Sequence, residues 1–272
     1  MTQLKTQEDR DIDTTNRILA NIRPYLFLEQ KITDFVAKRM LAQAEEIRTK
    51  GLKSVTLGTI YYSLNNPELG SELMEEALAL RPQDWITWRQ FSLCSFWRCG
   101  PIEAREVTRR SQCYVVSPLI ARDALFYAMN TGDFGFMREM YSLLTKTNML
   151  EEVFPKGYEK ERCDMDNGMS YLELAEKTGK SKTIKHLAEI MYDELNLGQK
   201  LQAVNHLIDV SEYPDETSLL YELHVPNLNP QVCAAMNLSL IAKRADEGLI
   251  DWEVGAVFVS ESEEDKTDAC NV

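Results

Sequence analysis

Histidine is scarce: His186, His206 and His224 are the only three. No two of them stand four apart on one helix face, which excludes the paired-histidine zinc face of a metalloprotease. The six cysteines (Cys94, Cys99, Cys113, Cys163, Cys233 and Cys270) never fall at C-x-x-C spacing. They read as reduced thiols, with no disulfide framework and no zinc site. No apolar run approaches the length of a membrane span, and the start is not the basic-then-apolar pattern of a secretory signal. The glycines make no phosphate loop, no dinucleotide fingerprint and no nucleophile elbow. Clusters of basic residues are missing too, which argues against direct nucleic-acid binding. The expectation is a cytoplasmic protein with no membrane contact, no cofactor, no metal and no catalytic residue.

What the chain has in excess is acid, unevenly placed. Residues 1–150 hold 19 basic and 18 acidic side chains, whereas residues 211–272 hold 3 and 13, a net of −10. An acidic end suits solubility or a basic partner. The remaining composition is ordinary: 44% of the residues are hydrophobic, enough for a sizeable core in one or two domains.

Residues 12–50 read as two helices. Asp13 or Thr14 is the candidate cap of the first, Pro24 punctuates, and Gly51 stops the second. Further on, a patterned stretch begins. Leu57-Gly58-x-x-Tyr61 is followed by Gly70, Met74, Ala77 and Pro82, and Trp88 opens a second partial copy one 34-residue period after Ser54. Asn65-Asn66-Pro67 and Gly100-Pro101 supply the turns, and Gly132-Asp133-Phe134 marks a third, degenerate copy whose small-residue slot holds Leu125. Small residues let two antiparallel helices approach, large ones fill the wedge between them, and Pro ends the second helix. This pattern resembles the tetratricopeptide repeat, over residues 51–84, 85–118 and 118–151. Residues 166–188, with Ser170-Tyr171-Leu172-Glu173-Leu174-Ala175 and then Gly179, look like a single ankyrin-type hairpin. A last helix at 199–210 would close the stack.

The resemblance implies a concave groove lined by the first helix of each pair. Carried onto this chain, its positions are Leu52, Val55, Thr59 and Tyr62, then Ile86, Arg89, Leu93 and Phe96, then Leu119, Arg122, Phe126 and Met129. Arg89 and Arg122 would form an anion clamp between Tyr62, Phe96 and Phe126, able to grip a peptide or an acidic segment, the tail from Glu261 to Asp268 included. The alternative is a pair of solvated arginines above core aromatics.

After residue 211 the pattern changes. Residues 218–225 read as a strand ended by Pro226. Asn229-Pro230 starts a helix that Gly248 stops, and 252–259 is a second strand, apolar on both faces. The fold class expected is mainly α: a helical-hairpin, tetratricopeptide-like superhelix (1–211), a small β-α-β module (212–259) and an acidic tail (260–272). So small a sheet needs cover, from the helices, from a partner or from a homodimer through Trp252, Val254 and Phe258. The function expected is a non-catalytic adaptor or chaperone-like protein that binds another protein or a peptide. One alternative is an acidic inhibitor or immunity-type protein acting through residues 211–272 on a basic partner. The other is an enzyme centred on Glu222, His224 and Asp251, since side chains two apart on a strand share a face.

Overall fold

The computed structural model describes residues 5–27, 30–155, 159–211, 218–249, 251 and 253–261. Trp252 and the tail beyond Glu261 lie outside the described residues.

Side-chain caps set where most helices start. Thr6 Oγ1 accepts from Asp9 N at 3.1 Å and Asp9 Oδ2 accepts from Thr6 N at 2.9 Å. This reciprocal cap opens α1 (Gln7–Phe27) more than a turn before the expected start, so Asp13 and Thr14 lie inside the helix. The helix also runs on past Pro24; so near the C-terminal end, proline removes one backbone bond and leaves the rest of the ladder intact. Thr33 caps α2 (Asp34–Glu45). Gly51, expected to end that helix, instead sits in the first turn of α3 (Lys50–Ser63). Asn65 takes the left-handed conformation (φ 60°) and Asn66 caps α4 (Pro67–Leu80). Asp84 caps α5 (Trp85–Cys99), and Gly100 (φ 113°) turns the chain into α6 (Pro101–Ser111). Then α7 (Pro118–Asn130) follows. The chain forms two compact units, Met1–Ile120 and Ala121–Val272, the division falling inside α7.

In the first unit, α3 pairs with α4 and α5 with α6, while α5 also packs on α3 and α4. The tight approach of α3 and α4 rests on two glycines. A Cβ on Gly58 would stand 3.0 Å from the Gly70 carbonyl, and one on Gly70 would stand 2.6 Å from the Tyr62 ring. Leu57, Trp88 and Phe91 are buried and Tyr61 is partly so, all in one apolar cluster. Trp88 also donates its indole N–H to the Pro82 carbonyl at 2.8 Å.

Two further helices cover α3. The stripe Ile18, Ile22 and Leu26 of α1 joins the same core, and α1 packs on α3 and, more lightly, on α5. Polar anchors fix its place. Asp11 accepts from Arg48 N, Thr49 N and Thr49 Oγ1 at 3.2, 2.8 and 2.7 Å, tying α1 to the residues that lead into α3. Thr15 and Thr56 hydroxyls meet at 3.1 Å. As a result nearly every residue from Ser54 to Ser63 is buried, as in a helix enclosed on all sides.

The second unit continues with α8 (Phe134–Lys146), the one-turn α9 (Leu150–Val153), α10 (Glu159–Lys177), α11 (Ser181–Asp193) and α12 (Leu197–Gln202). Gly132 (φ +62°) and Gly179 (φ +71°) make the turns before α8 and α11. The expected helix over 199–210 is a correction. α12 stops at Gln202, and β1 (Val204–Asp209) follows, paired antiparallel with β2 (Leu219–Pro226). Ladder bonds to β2, the next strand in the chain, outweigh the helical spacing of Leu201, Val204, Leu207 and Ile208. Then α13 (Pro230–Asp246), capped by Asn229, leads to β3 (Val254–Glu261), parallel to β2. The sheet order is β1-β2-β3.

One sheet face is core. Leu219, Tyr221, Leu223 and Val225 are buried with Asn205, Leu207, Val254 and Phe258 in register beside them. α11 packs on β2 and β3, bringing buried Tyr192 next to Tyr221. Asn205 reaches past β1 to the Met129 carbonyl at 2.8 Å. The sheet therefore finds its cover among the helices of its own unit.

Candidate functional site

Two surfaces bring together side chains that stay at or near solvent. The first is the outer side of α5. Asp84 accepts from Ile86 N at 3.1 Å and Thr87 Oγ1 at 2.7 Å, which fixes the first turn and leaves Trp85 and Ile86 outward, 41% and 61% exposed. Arg89, Leu93 and Phe96 follow at three- and four-residue steps, on the same side of the helix and partly buried. One turn along from Trp85, the buried Trp88 ring stacks on Tyr114 (centroids 5.7 Å, planes 16° apart), with the Arg110 guanidinium over it at 5.6 Å. Tyr114 is itself exposed. Exposed Trp85 and Tyr114 are of the residue types enriched among interface anchors.

The groove expected from the repeat is only partly open. Tyr62 is a correction: it is buried beneath the helices, its hydroxyl within 2.7 Å of Ser71 Oγ and 3.3 Å of Ser95 Oγ. Burial pushes that phenol up to about 12, so it serves as a core hydrogen-bonding group. Val55 and Thr59 are buried as well. Phe96 stays near the surface, edge-on to Trp97 at 5.3 Å. Arg89 belongs to the first unit, and Arg122 and Phe126 to the second. The Arg122 guanidinium already donates to its own neighbour, Asp123 Oδ1, at 2.9 and 3.2 Å. Phe126 meets Phe154 edge-on at 5.8 Å. Val254 and Phe258, expected at an oligomer surface, are core residues of the second unit, a correction that follows from their pairing face.

The second surface is the other face of the sheet. Val204, His206 and Ile208 of β1 share it with Leu220, Glu222 and His224 of β2 and Val257, Val259 and Glu261 of β3. His224 is held between two carboxylates, Nε2 2.8 Å from Glu222 Oε2 and Nδ1 3.0 Å from Glu261 Oε1. His206 lies beside it (ring centroids 4.5 Å), with Nδ1 3.1 Å from the Tyr171 hydroxyl. Burial first, and the neighbouring His224 second, hold His206 below its ordinary value, while burial and then Glu222 push Tyr171 up. Glu222 and His224 thus come together as their spacing predicts. Asp251 does not join them; it pairs with Lys180 at 2.9 Å. His206 and Tyr171 were missed because the stretch carrying His206 reads as helix. Its pairing with β2, and not any alternation in the sequence, places it on a strand.

Among the described residues, no group of three or more His, Cys, Asp or Glu side chains is placed to hold a metal ion, and no helix is long and apolar enough to cross a membrane. The chain was compared with protein-family models, curated proteins and solved structures. Nothing matches. The likeness to helical repeats therefore rests on the chain's own features: helices packed in neighbouring pairs, the Gly58–Gly70 approach and the Trp88 wedge.

Proposed function

We propose that this chain is a non-catalytic, cytoplasmic interaction protein, an adaptor or chaperone-like module built on tetratricopeptide-like helix pairs, which binds a peptide segment of another protein along α5. The observation that carries this reading is the exposed Trp85–Ile86 end of α5, continued by Arg89, Leu93 and Phe96. In the first repeat the equivalent positions Val55, Thr59 and Tyr62 are already buried, in a helix on which α1 packs, so the second repeat supplies the usable surface. Apolar contacts at Trp85 and Ile86 would anchor the segment. The test is affinity capture from the native host with full-length wild type and Ile86→Asp side by side. Retention by wild type and loss from the variant, at unchanged thermal unfolding, is expected; an identical set of captured proteins contradicts the α5 surface.

A second reading is an acid–base centre on the open sheet face. Its support is the close grouping of His224, Glu222 and Glu261 with His206, which burial holds below its ordinary value, alongside. Hydrolysis of p-nitrophenyl acetate or phosphate that disappears in His224→Gln would favour it. Equal background rates in both proteins would remove it.

A further inference from the structure

The helix α13 has two stripes of unequal character, one residue out of step and so about 100° apart around its axis. Cys233, Asn237, Leu240 and Arg244 recur at four, three and four residues and face β3. Asn237 accepts from Phe258 N at 2.7 Å and donates to the Phe258 carbonyl at 3.0 Å, and Arg244 donates to the Val254 carbonyl at 2.7 Å. These side chains occupy backbone groups at the outer edge of β3, so that edge is guarded against pairing. The other stripe is Ala234, Leu238, Ile241 and Ala245, again at four, three and four, and it faces solvent; Leu238 is 70% and Ile241 63% exposed. No charged residue occurs anywhere from Val232 to Ala242. A surface helix of a globular chain normally keeps its large apolar side chains against the core, and this one leaves Leu238 and Ile241 on an exposed flank.

We propose that this stripe is the contact between two copies of the chain, packed antiparallel about a two-fold axis that passes between residues 239 and 240 of α13. The first argument is symmetry. A two-fold contact must be self-complementary, residue i meeting j and j meeting i. The stripe is a palindrome in both spacing and size: Ala234 would face Ala245 of the second copy, and Leu238 would face Ile241. The small residues at the ends allow close approach and the large ones fill the centre. The second argument is charge. The first turn of α13 carries no acidic residue. Antiparallel packing brings Asp246 of each copy to the positive end of the other copy's α13, where carboxylates are favoured, while Lys243 and Arg244 at the same end are engaged within their own chain by Glu194 and the Val254 carbonyl. The contact rests on the reading of the chain as a non-catalytic interaction protein but uses a different unit from the α5 surface, so either can fail alone.

The stripe spans only about 16 Å at 1.5 Å per residue, below a standard interface, so a dissociation constant on the order of micromolar is expected. The experiment is sedimentation of the full chain across about 1–100 μM, which brackets that constant. Wild type should pass from monomer to dimer over this range. Leu238→Lys alone and Ile241→Glu alone should stay monomeric with unchanged unfolding midpoints, because both side chains are exposed. Combining the two substitutions in one chain sets opposite charges across the axis and should restore the dimer. A wild type that stays monomeric throughout overturns the proposal, as does a dimer indifferent to both single changes. Single variants that dissociate without rescue by the combined one overturn the antiparallel register.

Discussion

Adding one methyl group at Gly70 tests the packing of α3 on α4. An alanine Cβ there would lie 2.6, 2.9 and 3.1 Å from Cδ2, Cε2 and Cγ of Tyr62. Carbon atoms pack at about 3.5–4.0 Å, so roughly 1 Å of overlap must be absorbed. The ring has little room to yield: it is buried, its hydroxyl is tied to Ser71 and Ser95, and its face meets Phe91 at 6.4 Å. Overpacking of this kind costs about 1–3 kcal/mol, against a helix-propensity gain of about 1 kcal/mol for replacing glycine. Gly70→Ala should therefore destabilise the first unit by about 1 kcal/mol net, or about 0.5 M in urea midpoint. Gly51 is the control. It lies in α3 with nothing within 4 Å of an added Cβ, so Gly51→Ala should gain about 0.5 kcal/mol. Urea unfolding followed by tryptophan fluorescence suits the comparison, since Trp85, Trp88 and Trp97 all belong to the first unit. A Gly70→Ala midpoint at or above wild type would refute the close approach.

Three more outcomes follow from the same coordinates. Trp88→Ala empties the wedge between α5 and α6 and orphans the Pro82 carbonyl, so a loss of about 3–5 kcal/mol is expected in the same unfolding assay; a loss under about 1 kcal/mol would mean the ring is not a core element. Asn237→Ala leaves Phe258 N–H unpaired at the β3 edge, its carbonyl keeping only the weak Cys233 thiol donor, so stability should drop by about 1–2 kcal/mol and light scattering should reveal concentration-dependent association; no change in either would show the edge is guarded otherwise. His206 is held below its ordinary 6.5 in the folded state, so the unfolded chain takes up that proton first as pH falls. Its contribution to stability is complete above pH 6.5 and is lost as pH drops from there through the lower folded value. Unfolding midpoints from about pH 7.5 to 5 should therefore fall more for wild type than for His206→Gln, and parallel curves would contradict this.

What could be read from residues alone was local. Gly58, Gly70, Trp88 and the Asn65–Pro67 turn occupy fixed slots of one motif, and Asn229-Pro230 and Gly248 bracket α13 within a residue of its observed ends. What could not be read depended on partners elsewhere in the chain. β1 is six residues whose apolar spacing fits a helix as well as a strand, and only β2 decides between them. His206 was lost to the candidate cluster for that reason, and Asp251 was assigned to it without regard to Lys180, 71 positions away in sequence. The packing of α1 on α3 also came from tertiary structure, although α3 carried a hint. No charged residue lies between Lys53 and Glu68, so no face of that helix was prepared for water. The uncharged run from Val232 to Ala242 was equally visible, but which of its stripes met the sheet required β3 to be in place.

Hydrogen–deuterium exchange on a captured partner complex, compared with the free chain, tests the α5 surface most directly. If α5 is the binding surface, amides of residues 85–99 gain protection in the complex, and the Ile86→Asp chain mixed with the same partner shows none. Protection confined to α13 or to the open sheet face, with α5 unchanged, would contradict the account.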